Sequence, residues 1–472
     1  MKNDSSLTGQ HNHFYGQMAT QIIVQQSSYE DRFSRIEQSD GNGIFASKQA
    51  HVQLMDCYIA HHKLPQLWLQ DSELHCTRTT IEDGAESGMM IRSHSQAHIV
   101  QSTIRRHHMA NVQVCIQSSL HIEHSAVEDA SGMGIHVREK SVLNIYHCTL
   151  KRNKMAQLFM TESSIASVND TVVEQGLQVG IIIENNSECT LLNSTIQEQQ
   201  NSALTVIDSR CTVLQCVITE NNGNGLLALN DSALHVEHTH FEGNKMPHIG
   251  AKNKAYVEIQ HCYFEKGKTL FLVEHAQALL ESCKLMNGDG VQIELSDHSK
   301  GTFTNCEIMN GKTNAMKFIR NSSAHINDCI IAKHQLPQIV ANDSSFIVKN
   351  SEVIDGARNG FIIENNAEAH IEDTFIARHH YPQIWVDLHS NVELQSVQLT
   401  EGAESDLYLQ NDSNLVANDS FIKNLTFTYN IQSVNHSKIE LHNTVIEHFS
   451  GDCFYTENNS EIMATMDDSL EK

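Results

Sequence analysis

Residues 119–137, SLHIEHSAVEDASGMGIHV, contain the pattern that decides the fold. Apolar and polar residues alternate in residues 119–122 and again in residues 134–137, and a period of two is typical of β-strands. Gly, Asp and Ser between the alternating stretches favour turns. The segment therefore predicts short strands joined by tight turns.

The same pattern returns about every 23 residues along the chain. Each unit closes with an aliphatic or aromatic residue, at Ile36, Ile59, Ile81, Ile104, Val127, Leu150, Val173, Ile196, Ile218, Phe241, Phe264, Leu285, Ile308, Ile331, Ile354, Ile376, Leu399, Ile422 and Ile446. A small residue lies two positions earlier, at Ser34, Cys57, Thr79, Ser102, Ser125, Cys148, Thr171, Ser194, Cys216, Thr239, Cys262, Cys283, Cys306 and Cys329. A register kept this regularly is typical of a solenoid in which equivalent positions stack.

The length of the unit indicates which solenoid the chain forms. Pairs of helices need repeats of ~34 to 47 residues, whereas three short strands fit within ~23. Units of two kinds alternate and give a double repeat of 45 or 46 residues. We therefore predict an all-β fold, a single parallel β-helix of about nineteen coils over residues 21–472. Residues 1–20 are predicted to be a flexible or capping N-terminal segment, and the β-helix is expected to continue if the chain extends beyond its C-terminus.

This repeat resembles the right-handed parallel β-helix (pectin-lyase-like) superfamily over nearly the whole chain, and the resemblance implies a right-handed coil. Pectate lyases of that superfamily use an acidic calcium cluster and a basic residue that acts as the base. Polygalacturonase-like members use Asp residues on adjacent coils within Asn-Thr-Asp, Asp-Asp, Gly-His-Gly and Arg-Ile-Lys signatures. None of these signatures occurs in the repeats. The resemblance therefore implies a fold and no particular activity.

Composition narrows the classes of partner. The 472 residues include 57 acidic and 32 basic side chains, which give a formal net charge of −25. Such a chain repels phosphate groups, so nucleic acid and anionic membranes are not expected partners. No stretch is long and apolar enough to predict a membrane span, and no secretory signal is recognisable near Met1.

The twelve cysteines are placed as small core residues rather than as a disulfide framework. Seven of them share the column that Ser and Thr fill in other units: Cys57, Cys148, Cys216, Cys262, Cys283, Cys306 and Cys329. Parallel neighbours project the same way, which is poor geometry for a disulfide. Reduced, buried thiols and a cytoplasmic location are therefore predicted.

One outward column alternates in charge, through Glu82, Arg105, Glu128, Lys151 and Glu174. Its carboxylates recur on every second coil, ~9.6 Å apart, with a cation between them. This spacing is too wide for the carboxylate pair of a retaining glycosidase, and the cation blocks an inverting pair. The column is more typical of a cross-strand charge ladder, so no catalytic residues are predicted.

Histidine is unusually frequent, with 30 residues. His51, His75, His98 and His121 are predicted to share one outward position in successive coils, and His124 and His147 form a second adjacent pair. Stacked imidazoles suit Zn, Ni or Cu, and these six residues are the candidate metal ligands. The alternative is a surface ladder left by duplication. A straight row offers at most two nitrogens to one metal, so no cofactor is predicted.

Candidate ligand-binding residues lie at or just after one kind of turn. Trp68 and Trp385 follow Pro-Gln pairs and are predicted to face outward, where an indole suits a sugar ring or a protein. The histidine pairs of these turns are further candidates: His61, His62, His107, His108, His379 and His380.

These observations predict a non-enzymatic scaffold that binds a protein or a polysaccharide through repeated surface ladders. The alternative is a carbohydrate-active enzyme of the lyase, hydrolase or epimerase type. No end cap is recognisable beyond residues 1–20, so end-to-end self-association or an attached effector module is also expected.

Overall fold

A computed structural model describes residues 4–424, 429–448 and 452–465. All regular elements in these ranges are β-strands, and each pairs in parallel with the equivalent strand of the next coil. A coil contains a first, a second and a third strand, and about 20 such turns follow one another ~23 residues apart. The predicted all-β parallel β-helix is confirmed.

The chain divides into two compact units, Met1–His240 with Asn244–Met246, and Phe241–Gly243 with Pro247–Lys472. In unit one the first strands are Ile22–Gln25, Met89–Arg92, Val112–Cys115, Ile135–Val137, Leu158–Met160, Ile181–Glu184, Leu204–Ile207 and Leu226–Leu229. The second strands are Ser6–Gln10, Ser28–Arg32, Gln96–Val100, Ser119–Glu123, Val142–Tyr146, Ile165–Asn169, Glu188–Leu192, Arg210–Leu214 and Ala233–Glu237. Ile44–Met55 and Leu67–Thr77 each combine a first and a second strand. The third strands are His13–Tyr15, Arg35–Glu37, Tyr58–Ala60, Thr80–Glu82, Thr103–Arg105, Ala126–Glu128, Thr149–Lys151, Val172–Glu174, Thr195–Gln197 and Val217–Thr219, and His240–Glu242 contains the boundary between the units.

In unit two the first strands are Ile249–Lys252, Leu270–Val273, Ile293–Leu295, Met316–Ile319, Ile339–Asn342, Phe361–Glu364, Ile384–Asp387, Leu407–Leu409, Ile431–Val434 and Phe454–Glu457. The second strands are Tyr256–Gln260, Gln277–Glu281, Lys300–Thr304, Ser323–Asn327, Ser345–Lys349, Glu368–Glu372, Asn391–Gln395, Asn414–Asn418, Lys438–His442 and Glu461–Thr465. The third strands are Tyr263–Glu265, Lys284–Met286, Glu307–Met309, Ile330–Ala332, Glu352–Ile354, Phe375–Ala377, Gln398–Thr400, Phe421–Asn424 and Val445–His448.

Strand pairing is already present within residues 1–20, where Ser6–Gln10 pairs with Ser28–Arg32. One detail differs from the sequence prediction. In the column that closes each unit, Ile331 pairs with Val353 and not with Ile354. Two adjacent apolar residues allow more than one register in the sequence, whereas strand pairing allows one.

The column of small residues is a ladder of hydrogen bonds. The backbone N–H of Thr79 donates to Ser102 Oγ at 3.1 Å, and that of Ser102 donates to Ser125 Oγ at 2.9 Å. Ser102 Oγ in turn donates to the carbonyl oxygen of Val100 at 2.8 Å. Ser, Thr and Cys are interchangeable here because each side chain can accept from one coil and donate within its own. A second serine ladder, through Ser72, Ser95, Ser118 and Ser141, was not predicted, although its 23-residue spacing is visible in the sequence.

The thiols occupy the interior as predicted. Eleven of the twelve cysteines are buried, Cys453 is half-buried, and all twelve are free. Cys306 Sγ points toward the carbonyl oxygens of Thr304 and Leu280 at 3.3 and 3.8 Å, in the same manner as the hydroxyls of the ladder. Burial raises the pKa of the Cys148 thiol to about 11.

Buried polar side chains occupy the interior of the turn after the third strand. His62 and Gln66 are buried in one coil, and His107 and Asn111 two coils later. Gly84 lies on the coil between them, where a Cβ atom would meet Gln66 Nε2 at 2.4 Å and His107 Cδ2 at 2.7 Å. The polar side chains on either side therefore leave room for little more than glycine at position 84.

Candidate functional site

The outer face of the second strands carries the chemistry-bearing side chains. In Ser119–Glu123, Leu120 and Ile122 are buried while His121 and Glu123 are half-exposed. The same alternation in the other second strands aligns one outward residue from each coil, ~4.8 Å apart. On three successive coils of unit one the middle position of this face is held by His75, His98 and His121.

The three imidazoles form a ladder with direct ring contacts. The ring centroids of His75 and His98 lie 5.8 Å apart at an interplanar angle of 74°, and those of His98 and His121 lie 4.7 Å apart at 69°. Asn144 occupies the next position, and the ring of Tyr146 lies 5.5 Å from His121. The predicted stacking of these three histidines on successive coils is confirmed.

His51 does not belong to the ladder, so its predicted place there is wrong. It pairs with Glu73, whose Oε2 lies 2.9 Å from His51 Nδ1, while His75 pairs with Gln53. The register shifts at an irregularity between Ser47 and Ala50, and the backbone of Lys48 and Gln49 between them is left-handed. His75 is 24 residues beyond His51, whereas the paired positions here are 22 apart, and the bulge was not predicted.

Glu123 completes a group that sequence reasoning missed. One atom from each of His98, His121 and Glu123 lies within 4.8 Å of the other two, so among the described residues these three form a group that could hold a metal ion. His98 Nε2 lies 3.5 Å from Glu123 Oε1, and His121 Nε2 lies 3.8 Å from Glu123 Oε2. Glu123 follows His121 by two residues and so shares its face, which is the signal that could have found it.

The second predicted imidazole pair has a different geometry. His124 and His147 occupy left-handed positions in the turn after the second strand. Their rings stack face to face, 4.9 Å apart at 7°, and His147 Nδ1 lies 4.0 Å from Asp170 Oδ2. Face-to-face rings do not aim their nitrogens at a common point, so these residues do not extend the group around Glu123.

The three histidine pairs predicted as ligand-binding residues contain exposed and buried members. His61, His108 and His380 are exposed. The other three, His62, His107 and His379, are buried in the polar column of the interior and cannot meet a ligand from solvent, which corrects their prediction as binding residues. Each of these three side chains points into the interior because the glycine of the adjacent coil leaves space for its ring.

The buried histidines are held as neutral rings. His107 Nδ1 lies 2.7 Å from Asn111 Oδ1, and His62 Nε2 lies 3.0 Å from the carbonyl oxygen of Ile36. Burial lowers the pKa of both imidazoles to about 4. Their role is structural.

The two tryptophans face outward as predicted and are half-buried. Trp68 lies 6.3 Å from the ring of Phe45, with the Arg92 guanidinium 5.7 Å from its ring. Trp385 makes an edge contact with Tyr408 at 5.4 Å. They lie on first strands of different units, so each is a separate aromatic patch.

The outward charge column has the geometry of a ladder. Arg105 lies between Glu82, at 2.6 Å, and Glu128, at 3.8 Å, and Lys151 reaches Glu128 at 3.5 Å. The carboxylates are neutralised by neighbouring cations and are not aimed at an open space.

Unit two forms a groove on the outer face of its second strands. Its volume is about 590 Å³, and its lining includes Ser323, His325, Ser345, Ile347, Glu368, His370, Asn391, Glu393, Asn414 and Val416. His370 Nδ1 lies 3.1 Å from Glu393 Oε2, and its Nε2 lies 3.3 Å from Glu372 Oε2. Lys349 also pairs with Glu372, and the hydrogen bonds from Lys349 and His370 lower the pKa of that carboxyl. The sequence analysis did not identify this groove.

Within the described ranges no helix has the length and apolar character needed to cross a membrane. No curated protein sequence is similar enough to this chain to count as a relative.

Solved structures share the architecture at low identity. The periplasmic alginate epimerase AlgG is 10% identical, with 65% of this chain and 78% of that chain covered and a TM-score of 0.35. The Dettilon tailspike protein is 10% identical, with 67% and 62% covered and a TM-score of 0.40. The Azotobacter vinelandii mannuronan C-5 epimerase AlgE6 A-module is 8% identical, with 78% and 90% covered and a TM-score of 0.22. These similarities concern the fold alone.

The model of one protein family matches along most of the chain. Its description is "Right handed beta helix region", and it matches residues 1–154, 87–241, 208–339 and 338–470. The right-handed coil implied by the family resemblance is thereby confirmed. The chain belongs to the right-handed β-helix family.

Proposed function

We propose that the protein is a non-enzymatic recognition scaffold that binds a polysaccharide in the groove of unit two. The observation that carries the proposal is the groove itself, about 590 Å³ in volume, on the outer face of the second strands. Its lining residues come from successive second strands, so hydrogen-bonding groups repeat every ~4.8 Å along it. An extended polymer with repeated hydroxyl groups fits such an array.

The side chains of the groove favour a neutral glycan. Ser323, Ser345 and Asn391 offer hydroxyl and amide groups, while Ile347 and Val416 provide apolar contact for the faces of sugar rings. Glu368 and Glu393 also line it, and the chain carries a net charge of −25. A polyuronate would be repelled by these charges.

A carbohydrate-active enzyme is the second candidate, and His370 is the specific observation in its favour. A histidine held by Glu393 on one nitrogen and Glu372 on the other is positioned as proton-transfer groups often are. An enzyme of the lyase or epimerase type would use it to move a proton on the sugar.

Affinity electrophoresis of the full chain against neutral polysaccharides and polyuronates tests both candidates. We expect retention by a neutral polysaccharide, at least tenfold weaker in Ile347→Arg, which fills the groove with a long cation. Thr190→Arg is the matched control, since Thr190 holds the same middle position on a second strand of unit one.

Two outcomes would contradict the scaffold proposal. Undiminished retention of Ile347→Arg, or retention by none of the polysaccharides, would remove the groove as the binding site. Release of unsaturated or reducing ends that is abolished in His370→Gln would instead establish the enzyme.

A further inference from the structure

We propose that unit one binds one divalent transition-metal ion of the zinc class through His98 Nε2, His121 Nε2 and the carboxylate of Glu123. Nothing in the proposed polysaccharide site requires this ion, because the groove belongs to unit two. The inference therefore stands apart from the proposed function.

The strand register brings the three ligands together. His98 and His121 are paired on adjacent parallel strands, and Glu123 lies two residues beyond His121 on the same face. His98 Nε2 lies 3.5 Å from Glu123 Oε1, and His121 Nε2 lies 3.8 Å from Glu123 Oε2, so each imidazole faces a different oxygen of the carboxylate. Zinc with bonds of ~2.0–2.2 Å in tetrahedral geometry needs ligand atoms roughly 3.3 to 3.6 Å apart. Each imidazole is therefore close to the required distance from one carboxylate oxygen.

The distance between the ligand nitrogens of the two imidazoles can shorten by side-chain rotation. All ligand atoms of the group lie within 4.8 Å of one another, so this distance is at most about 1.5 Å longer than a zinc site requires. The side chains of His98, His121 and Glu123 are 39%, 37% and 32% exposed, which leaves them room to rotate while the strands stay fixed.

The nitrogen of His98 that faces the carboxylate is poorly satisfied by the protein. His98 Nε2 is shielded from solvent and makes no hydrogen bond within the described part of the chain, and Glu123 Oε1 lies 3.5 Å from it. A shielded nitrogen without a hydrogen bond is costly, and a metal ion would satisfy it. A depression of about 220 Å³, lined by His75, Ser119 and Asn144 among others, opens beside the group and gives access to an ion and to a water molecule as fourth ligand.

The donor set selects the class of metal. Two neutral imidazoles and one carboxylate suit Zn²⁺, Ni²⁺ or Co²⁺, whereas Ca²⁺ and Mg²⁺ require mainly oxygen ligands. Three protein ligands with a fourth position open to solvent are typical of zinc sites that bind a further molecule. We therefore expect a selective, exchangeable site.

Calorimetric titration of the metal-stripped full chain with Zn²⁺ tests the site. We expect one ion per chain, no heat with Ca²⁺ or Mg²⁺, and at least about a tenfold loss of affinity in each of His98→Ala, His121→Ala and Glu123→Gln. His147→Ala is the matched control, since it removes a partly exposed imidazole of unit one that faces another histidine, and it should leave the affinity unchanged.

The absorption spectrum of the Co²⁺-loaded protein separates this site from the thiols. Nitrogen and oxygen ligands give weak d–d bands without the intense thiolate-to-metal charge-transfer band. Circular dichroism of each variant verifies that the β-helix is intact. Zinc binding that is unchanged in all three ligand variants, equally reduced in His147→Ala, or accompanied by a thiolate band would overturn the proposal.

Discussion

Two columns of histidines both arise from the sequence repeat, but one lies in the interior and the other lies on the outer face. In the interior turn, His62 and His107 alternate with glycine and hydrogen-bond to backbone or amide groups. On the outer face of the second strands, His98 and His121 lie directly against each other with a carboxylate beside them. The comparison teaches that the neighbouring coil decides the role of a repeated residue. A glycine beside a histidine makes room for burial, and a second histidine places two imidazoles within reach of the same carboxylate.

The largest effect is expected from acid, which should lower the free energy of unfolding by protonating the histidines of the interior column. Burial lowers the pKa of four of its imidazoles from the ordinary 6.5 to about 4, those of His62, His107, His334 and His379. Between these values the unfolded chain binds more protons than the folded chain. The free energy of unfolding should be undiminished above pH ~6.5 and should fall by about 2 kcal/mol per buried histidine between pH 7 and pH 5.

Denaturant unfolding at pH 7.5, 6 and 5 measures this dependence. The wild type and His98→Leu should lose stability in parallel, because His98 is not in the interior column. A flat profile from pH 7.5 to pH 5 would show that the interior imidazoles titrate at their ordinary pKa.

Gly84 in the interior column should not tolerate a larger side chain. Gly84→Val places a branched side chain where a Cβ atom alone would lie 2.4 Å from Gln66 Nε2. We expect a loss of about 2 to 3 kcal/mol in the free energy of unfolding from overpacking. Ala130→Gly, a change at the equivalent turn position two coils later, should cost about 1 kcal/mol or less. Equal effects of the two substitutions would contradict the tight packing around Gly84.

Removal of a histidine should distinguish the two columns directly. His379 accepts from Gln338 Nε2 at 3.1 Å and donates to Gln383 Oε1 at 3.0 Å. His379→Leu leaves two buried amides without these partners and should cost about 3 kcal/mol, whereas His98→Leu should change stability by less than about 0.5 kcal/mol. Thermal and denaturant unfolding at pH 7.5 measure both, and a larger effect for His98→Leu would invert the comparison.

One acidic residue in the interior column should respond to pH in the opposite sense. Asp406 is fully buried where other coils hold an amide, and Gln383 Nε2 donates to its Oδ1 at 2.8 Å. Burial raises its pKa to about 7, so its ionisation opposes folding as pH rises from the ordinary value of 3.8. Asp406→Asn should stabilise the protein at pH 8 by about 2 to 3 kcal/mol more than at pH 5. A variant less stable than wild type at pH 8 would contradict this reasoning.

The smallest effect is expected in the ladder of small residues. Cys306→Ser replaces a buried thiol with the hydroxyl that fills the same column at Ser351, so the cost should be below about 1 kcal/mol. Native protein should react slowly with a thiol reagent, and all twelve thiols should appear on denaturation. Six or fewer free thiols in denaturant would instead indicate disulfides and an oxidising location.

The sequence predicted the fold more completely than it predicted the candidate site. The repeated columns that contain Ile104 and Ser102 predicted the strands, the coil length and the interior residues. This was possible because a buried position recurs at the same place in every coil and is therefore visible in the sequence. The tryptophans at positions 68 and 385 were placed correctly on the outside by the alternation of the strand. His51 was misplaced because it lies 24 residues before His75, whereas strand pairing there joins residues 22 apart.

Amino-acid sequence alone determined the parallel β-helix of this protein, its coil length and its double repeat, since each follows from periodicity along one chain. Tertiary structure alone decided which histidines are buried, that Glu123 lies against His98 and His121, and that a groove forms over residues 323–416 of unit two. The physical reason is that these features depend on contacts between coils, where a register shift of one or two residues or a missing Cβ atom changes the neighbours of every side chain.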